Sequence, residues 1–134
     1  MTELKGGCLC GRVRYTLQGA PLATTVCHCT HCQKISGSAF SINLVVQKDQ
    51  MTFEGHMASY RDTAESGNIL HRRFCSNCGS SLASEPEARP GVLVLKAGTL
   101  DDYSTVKPTA QIWTRSAEPW VRFAEPLESF EKGR

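Results

Sequence analysis

Cys27-His28-Cys29-Thr30-His31-Cys32 sets three thiols within six residues, and the reading of the whole chain turns on it. Outward from it, Cys8-Leu9-Cys10 lies upstream and Cys75-Ser76-Asn77-Cys78 downstream; the three clusters hold all seven cysteines of the 134 residues. Thiols kept for packing would scatter, and an extracellular disulfide framework usually carries an even count. C-x-C, C-x-C-x-x-C and C-x-x-C are instead metal-ligand spacings, and thiolate-rich sets of this kind select zinc. Seven divides into a closed four-thiolate site and an open three-thiolate site. Two Zn2+ ions per chain are expected.

The outer pairs suit a structural zinc on Cys8, Cys10, Cys75 and Cys78. A metal held by both pairs closes a long loop and removes conformational freedom from the unfolded chain. On a strand, residues i and i+2 share a face, so Cys8 and Cys10 reach one ion. The C-x-x-C turn does the same for Cys75 and Cys78, with Gly79 letting the backbone curl. Sulfurs bound at about 2.3 Å in a tetrahedron stand roughly 3.8 Å apart, within reach of both spacings. Ligands from Cys27 to Cys32 are the alternative for this ion.

Cys27, Cys29 and Cys32 can wrap one face of a second ion, leaving a fourth position for water, substrate or a side chain. Closure by His28, His31 or a distant histidine would make a second structural zinc. Left open, three thiolates give the complex a net negative charge and a poor Lewis acid, unlike a three-imidazole hydrolase site. Such a site favours a thiolate ligand, kept deprotonated yet nucleophilic toward electrophilic carbon.

Composition bounds the rest. Hydrophobic residues make up 40% and charged residues 21%, ordinary for one globular domain spanning 1–134. A net charge of +2 recommends neither nucleic acid nor acidic membrane as partner. The start lacks the apolar core of a signal peptide, no apolar run is long enough to span a membrane, and thiolate sites suit a reducing compartment; cytoplasm is the expectation. Local signals are mostly β. Strands are predicted over 12–17, 38–46, 51–53, 59–61, 69–74, 92–95, 111–114 and 120–123, with one short helix over 30–35 and an exposed loop over 85–91. The fold class predicted is all-β, stapled by metal.

Three stretches then resemble a known family. Gly6-Gly-Cys-Leu-Cys-Gly-Arg-Val-Arg-Tyr15, Cys27 through Phe40 and Arg73-Phe-Cys-Ser-Asn-Cys-Gly-Ser-Ser-Leu82 are similar to the glutathione-dependent formaldehyde-activating enzymes, a family that includes centromere protein V. Pro108 through Trp120 looks like the family's closing motif, with Gln111 where that motif often carries His. The resemblance implies a β-tent of several small antiparallel sheets. It also implies structural zinc on Cys8, Cys10, Cys75 and Cys78 and catalytic zinc on Cys27, Cys29 and Cys32. The implied reaction is that of a carbon–sulfur lyase joining glutathione to formaldehyde, as in S-(hydroxymethyl)glutathione synthase. Alternatives are an enzyme acting on another thiol adduct or carbonyl compound, and a zinc-stabilised protein-binding module.

His31, inside the cluster, is the candidate for proton transfer, and His28 for orienting a ligand or contacting backbone. His56 and His71 read as ordinary strand residues. Ser36-Gly37-Ser38 suits a turn that could also present N–H groups to an anion. Phe40, Trp113 and Trp120 suit pocket or core, and Lys34, Arg72, Arg73 and Arg115 suit carboxylate contacts or solvated charge.

Overall fold

A computed structural model of the chain describes residues 2–133. Among these, there are eleven strands and one α-helix. They run β1 (Glu3–Gly7), β2 (Arg14–Gln18), β3 (Ala23–Cys27), α1 (Thr30–Ser36), β4 (Ser41–Gln47), β5 (Met51–Glu54), β6 (Met57–Thr63), β7 (Ile69–Cys75), β8 (Ser81–Pro86), β9 (Val92–Lys96), β10 (Ala110–Ile112) and β11 (Glu128–Ser129). A three-stranded antiparallel sheet has the order β1-β2-β5, and an eight-stranded sheet the order β11-β10-β3-β4-β9-β8-β7-β6. β10 runs parallel to both β3 and β11; the other pairs are antiparallel. The mostly-strand reading is borne out.

Period-two alternation builds the core. β2 sends Tyr15 and Leu17 inward, where they meet Leu44 and Val46 of β4, Leu82 of β8 and Leu93 and Leu95 of β9. Cys8 and Cys75 belong to the same apolar cluster. Each large aliphatic buried here contributes about 1.5–3 kcal/mol. Tyr15 closes the edge: its hydroxyl lies 2.7 Å from Thr99 Oγ1, and burial pushes its pKa up to about 12.

Four strands escaped the sequence pattern, the two-residue β11 among them. β1 is Gly-rich, yet Gly6 is required there, since a Cβ would sit 2.4 Å from both Thr99 O and the Tyr15 hydroxyl. β3 offers only five residues, without clear alternation. β8 is short and polar, but its Leu82, Ala83 and Ser84 are buried between β7 and β9. The loop expected over 85–91 therefore begins after Pro86, whose missing N–H is tolerated at the strand end. Residues 120–123 form no strand; Trp120 is 70% exposed in a turn. The strand expected over 111–114 stops at Ile112, because Trp113 turns left-handed (φ 56°) into a 3-10 turn over Thr114–Ser116.

Candidate metal centres and thiol site

Cys8 and Cys10 do not lie on a strand. They follow β1 in a tight turn, with the Gly11 N–H donated to the Cys8 carbonyl at 3.2 Å. Cys75 ends β7, and Cys78 sits in the turn to β8, which Gly79 completes at φ 79° with its N–H on the Cys75 carbonyl. The four ligand atoms lie within 4.8 Å of one another. Cys8 and Cys10 sulfurs are 3.6 Å apart and Cys10 and Cys75 sulfurs 3.8 Å. Those are close to the roughly 3.8 Å edge of a tetrahedral thiolate site. Backbone N–H groups already point at the sulfurs, Val13 at Cys8 (3.2 Å) and Asn77 and Cys78 at Cys75 (3.4 Å each). The Ser80 hydroxyl, then the Ser80 and Cys10 N–H groups, push Cys78 down to about 5. A set of soft donors so arranged fits a thiophilic metal.

The second set is Cys27 at the end of β3, Cys29 at the N-cap of α1 and Cys32 in its first turn. All three are buried, with sulfurs within 4.8 Å of one another. Among the described residues no histidine or carboxylate atom joins them. The Cys32 N–H donates to Cys29 Sγ at 3.2 Å, so the thiol caps the helix as a serine would. Hydrogen bonds from Cys27 and Cys29 hold the Cys32 thiol well below its ordinary range despite burial, with Lys96 and Ser41 adding to the effect. Cys27 is pushed up correspondingly by its two thiol neighbours. Ile112 and Trp113 pack against the set. Trp113 is the one non-glycine at positive φ among the described residues, a conformation costing about 1–3 kcal/mol that is kept where the surroundings impose it. Here the Lys132 and Phe130 carbonyls hold the N–H groups of Trp113 and Thr114, each at 3.1 Å.

The surroundings assign the histidines. His28 is 1% exposed between Phe40 and Phe123, with Nε2 2.8 Å from Gln111 Oε1. The Gln111 amide donates onward to Ser129, so Gln111 accepts from His28, whose Nδ1 is left buried without a partner. His31 is different. Its Nδ1 lies 2.8 Å from the Asp62 carboxylate, which also accepts from Arg72 Nε at 2.8 Å. With Nδ1–H donated to Asp62, Nε2 is the lone pair left for chemistry. A cavity of about 330 Å³ opens at this group, lined by His31, Lys34, Tyr60, Asp62 and Arg72 among others. Glu65 accepts from the Thr30 N–H (2.9 Å) and hydroxyl (2.6 Å). Two carboxylates from the β6–β7 hairpin thus clamp the cysteine-bearing helix.

Asp62 and Glu65 were not singled out from sequence, because their partners lie 31 and 35 positions away; Gln111, noted only as standing where the motif often carries His, meets His28 83 positions away. Arg72 meets an internal carboxylate, Arg73 pairs with Glu85, and Arg115 pairs with Glu65 at 3.6 Å and stacks on Trp113. Of the four cations considered, Lys34 is left facing the cavity. His71 pairs with Glu87 on β7, while His56 is exposed in the turn before β6 rather than in a strand. The N–H groups of Gly37 and Ser38 are both spent on the Gln33 carbonyl, so that turn closes the helix and presents neither to an anion.

Burial alone would push the Asp62 carboxyl up; the hydrogen bonds from His31 and Arg72 outweigh it and hold it below the ordinary range. The contribution is therefore present above the unfolded carboxylate pKa of about 3.9 and is lost as pH falls through the lower folded value. Asp62→Asn strands the Arg72 charge, whose side chain is 5% exposed, and is expected to cost about 3 kcal/mol near neutrality. Urea unfolding across pH checks both the loss and its disappearance in strong acid.

Comparison with known proteins adds three findings. The model of the family described as glutathione-dependent formaldehyde-activating enzyme matches residues 3–116. An uncharacterized lyase of Schizosaccharomyces pombe is 28% identical over 82 residues, 61% of this chain and 57% of that protein. The match therefore spans little more than half of the relative's length. A Rhodobacter sphaeroides protein of known crystal structure superposes with a TM-score of 0.58 at 19% identity, covering 78% of this chain and 92% of that one. That likeness concerns the fold alone.

Proposed function

Because the chain belongs to the glutathione-dependent formaldehyde-activating enzyme family, we propose that it is a zinc-dependent carbon–sulfur lyase that reversibly joins a thiol, glutathione in the first instance, to formaldehyde. Cys8, Cys10, Cys75 and Cys78 would hold a structural zinc, and Cys27, Cys29 and Cys32 the zinc of the reaction site. The observation that carries this reading is the convergence of three buried thiols with no fourth protein ligand among the described residues. A metal held there would supply one thing, stabilisation of an incoming sulfur as thiolate at neutral pH. The name of the yeast relative, a lyase, supports the reaction class.

The residues of the chain then have defined tasks. Trp113 and Ile112 shield the thiols from water on one side. His31, steadied through Nδ1 by Asp62, takes the thiol proton at Nε2 and returns it to the oxygen. The sulfur lone pair forms the S–C bond, the carbonyl π pair moves to oxygen, and the returned proton gives the hydroxymethyl thioether. Addition of a thiol to formaldehyde is facile in water, so the protein contributes mainly by proximity and proton transfer.

The test is NMR exchange spectroscopy on glutathione and formaldehyde. Metal-loaded protein is expected to accelerate interconversion of free and hydroxymethylated glutathione. Rates equal to those with chelator-stripped protein would remove this activity.

A further inference from the structure

Lys96 closes β9 opposite Asn43 of β4 and is 8% exposed. Its ammonium donates to Asn43 Oδ1 at 3.0 Å and to Ser41 Oγ at 3.4 Å, both neutral acceptors. No carboxylate pairs with it among the described residues; its partner Ser41 stands across from Cys27, and the thiols of Cys32, Cys27 and Cys29 favour its charge while Arg72 opposes it. Burial pushes the Lys96 amine down, and those thiols pull against it. A buried cation without a carboxylate partner is costly unless opposite charge is close by.

The neighbourhood ties this cation to the three-cysteine set. Ser41 is the cross-strand partner of Cys27, and the Ser36 hydroxyl donates to the Cys32 carbonyl at 2.7 Å. Lys96, Ser36 and Ser41 line one cavity of about 630 Å³, together with Phe40, Thr99 and Tyr103. Three thiolates around a dication carry one net negative charge. A fourth thiolate raises that to two, whereas a neutral ligand leaves it unchanged, so like-charge crowding works against the thiolate. A single fixed cation reverses much of that bias.

We infer that Lys96 is a specificity-determining residue, whose ammonium makes the three-cysteine metal site accept an anionic thiolate in preference to a neutral ligand. This rests on reading the three cysteines as the thiol site.

The test uses protein loaded with Co2+ and titrated separately with 2-mercaptoethanol and with imidazole, read by sulfur-to-cobalt charge-transfer and d–d absorption. Lys96→Met is expected to weaken thiol binding about tenfold or more while leaving imidazole binding unchanged, and Lys96→Arg to retain most of the thiol affinity. Equal thiol affinity in the wild type and Lys96→Met overturns the inference. A parallel loss of both ligands also overturns it, since that reports general damage to the site. Should Lys96→Met fail to fold, Lys96→Gln keeps a donor for Asn43 without the charge and is judged by the same criteria. Absent thiol–formaldehyde exchange beside a Lys96-dependent thiol titration removes the reaction and leaves this inference. The opposite pattern removes the inference and leaves the reaction.

Discussion

Cys75→Ser is expected to leave no cooperatively folded protein. Cys75 is 2% exposed at the end of β7, in contact with the main apolar cluster, and its sulfur lies 3.8 Å from that of Cys10. A structural zinc in such a set supplies about 10–16 kcal/mol of apparent binding free energy, as large as the 5–15 kcal/mol that holds a typical domain folded. Losing one ligand of four forfeits much of that and frees the N-terminal turn from the β7–β8 turn. Circular dichroism melting beside metal analysis checks it. A stable Cys75→Ser protein with an unchanged melting transition would contradict the structural role.

Cys29→Ser separates the two sites. Serine is a preferred N-cap, so α1 keeps its start, and the carboxylate clamps on Thr30 and His31 remain. The fold is expected to persist with a melting temperature lowered by only a few degrees, about 1 kcal/mol. The second metal should leave on dialysis against a weak chelator, and accelerated thiol–formaldehyde exchange should fall to the solution rate. Retention of two metals per chain after that dialysis would show that Cys29 is not a ligand.

The two variants look alike in sequence, a cysteine to serine in a C-x-x-C. Their different outcomes trace to place in the fold. Cys75 joins two segments through a long loop and packs into the core, whereas Cys29 shares a six-residue knuckle with Cys27 and Cys32, a small cluster against which Ile112 and Trp113 pack. Spacing makes both candidate ligands; contact decides which one the fold is expected not to lose.

Legibility followed range. Alternation over 12–17 and the apolar run over 92–95 were plain because strand periodicity is local; β2 formed from Arg14 onward and β9 over the run. The short helix over 30–35 was visible and is α1. β3 and β8 were not, because their burial is imposed by neighbours on both sides rather than written in their own residues. The strand expected over 120–123 had apolar residues at suitable spacing, yet no sheet edge receives it among the described residues.

The sequence by itself determined the donor sets: seven thiols at ligand spacing, their grouping into four and three, and a mostly β chain to carry them. Coordination chemistry requires particular atoms at short separations, and short separations are what a linear text records. Only the tertiary structure brought Asp62 under His31, Gln111 onto His28 and the Lys96 ammonium onto Ser41, the cross-strand partner of Cys27. Those relations are electrostatic and depend on distance in space, which β4, β6, β9 and β10 supply by pairing residues far apart along the chain.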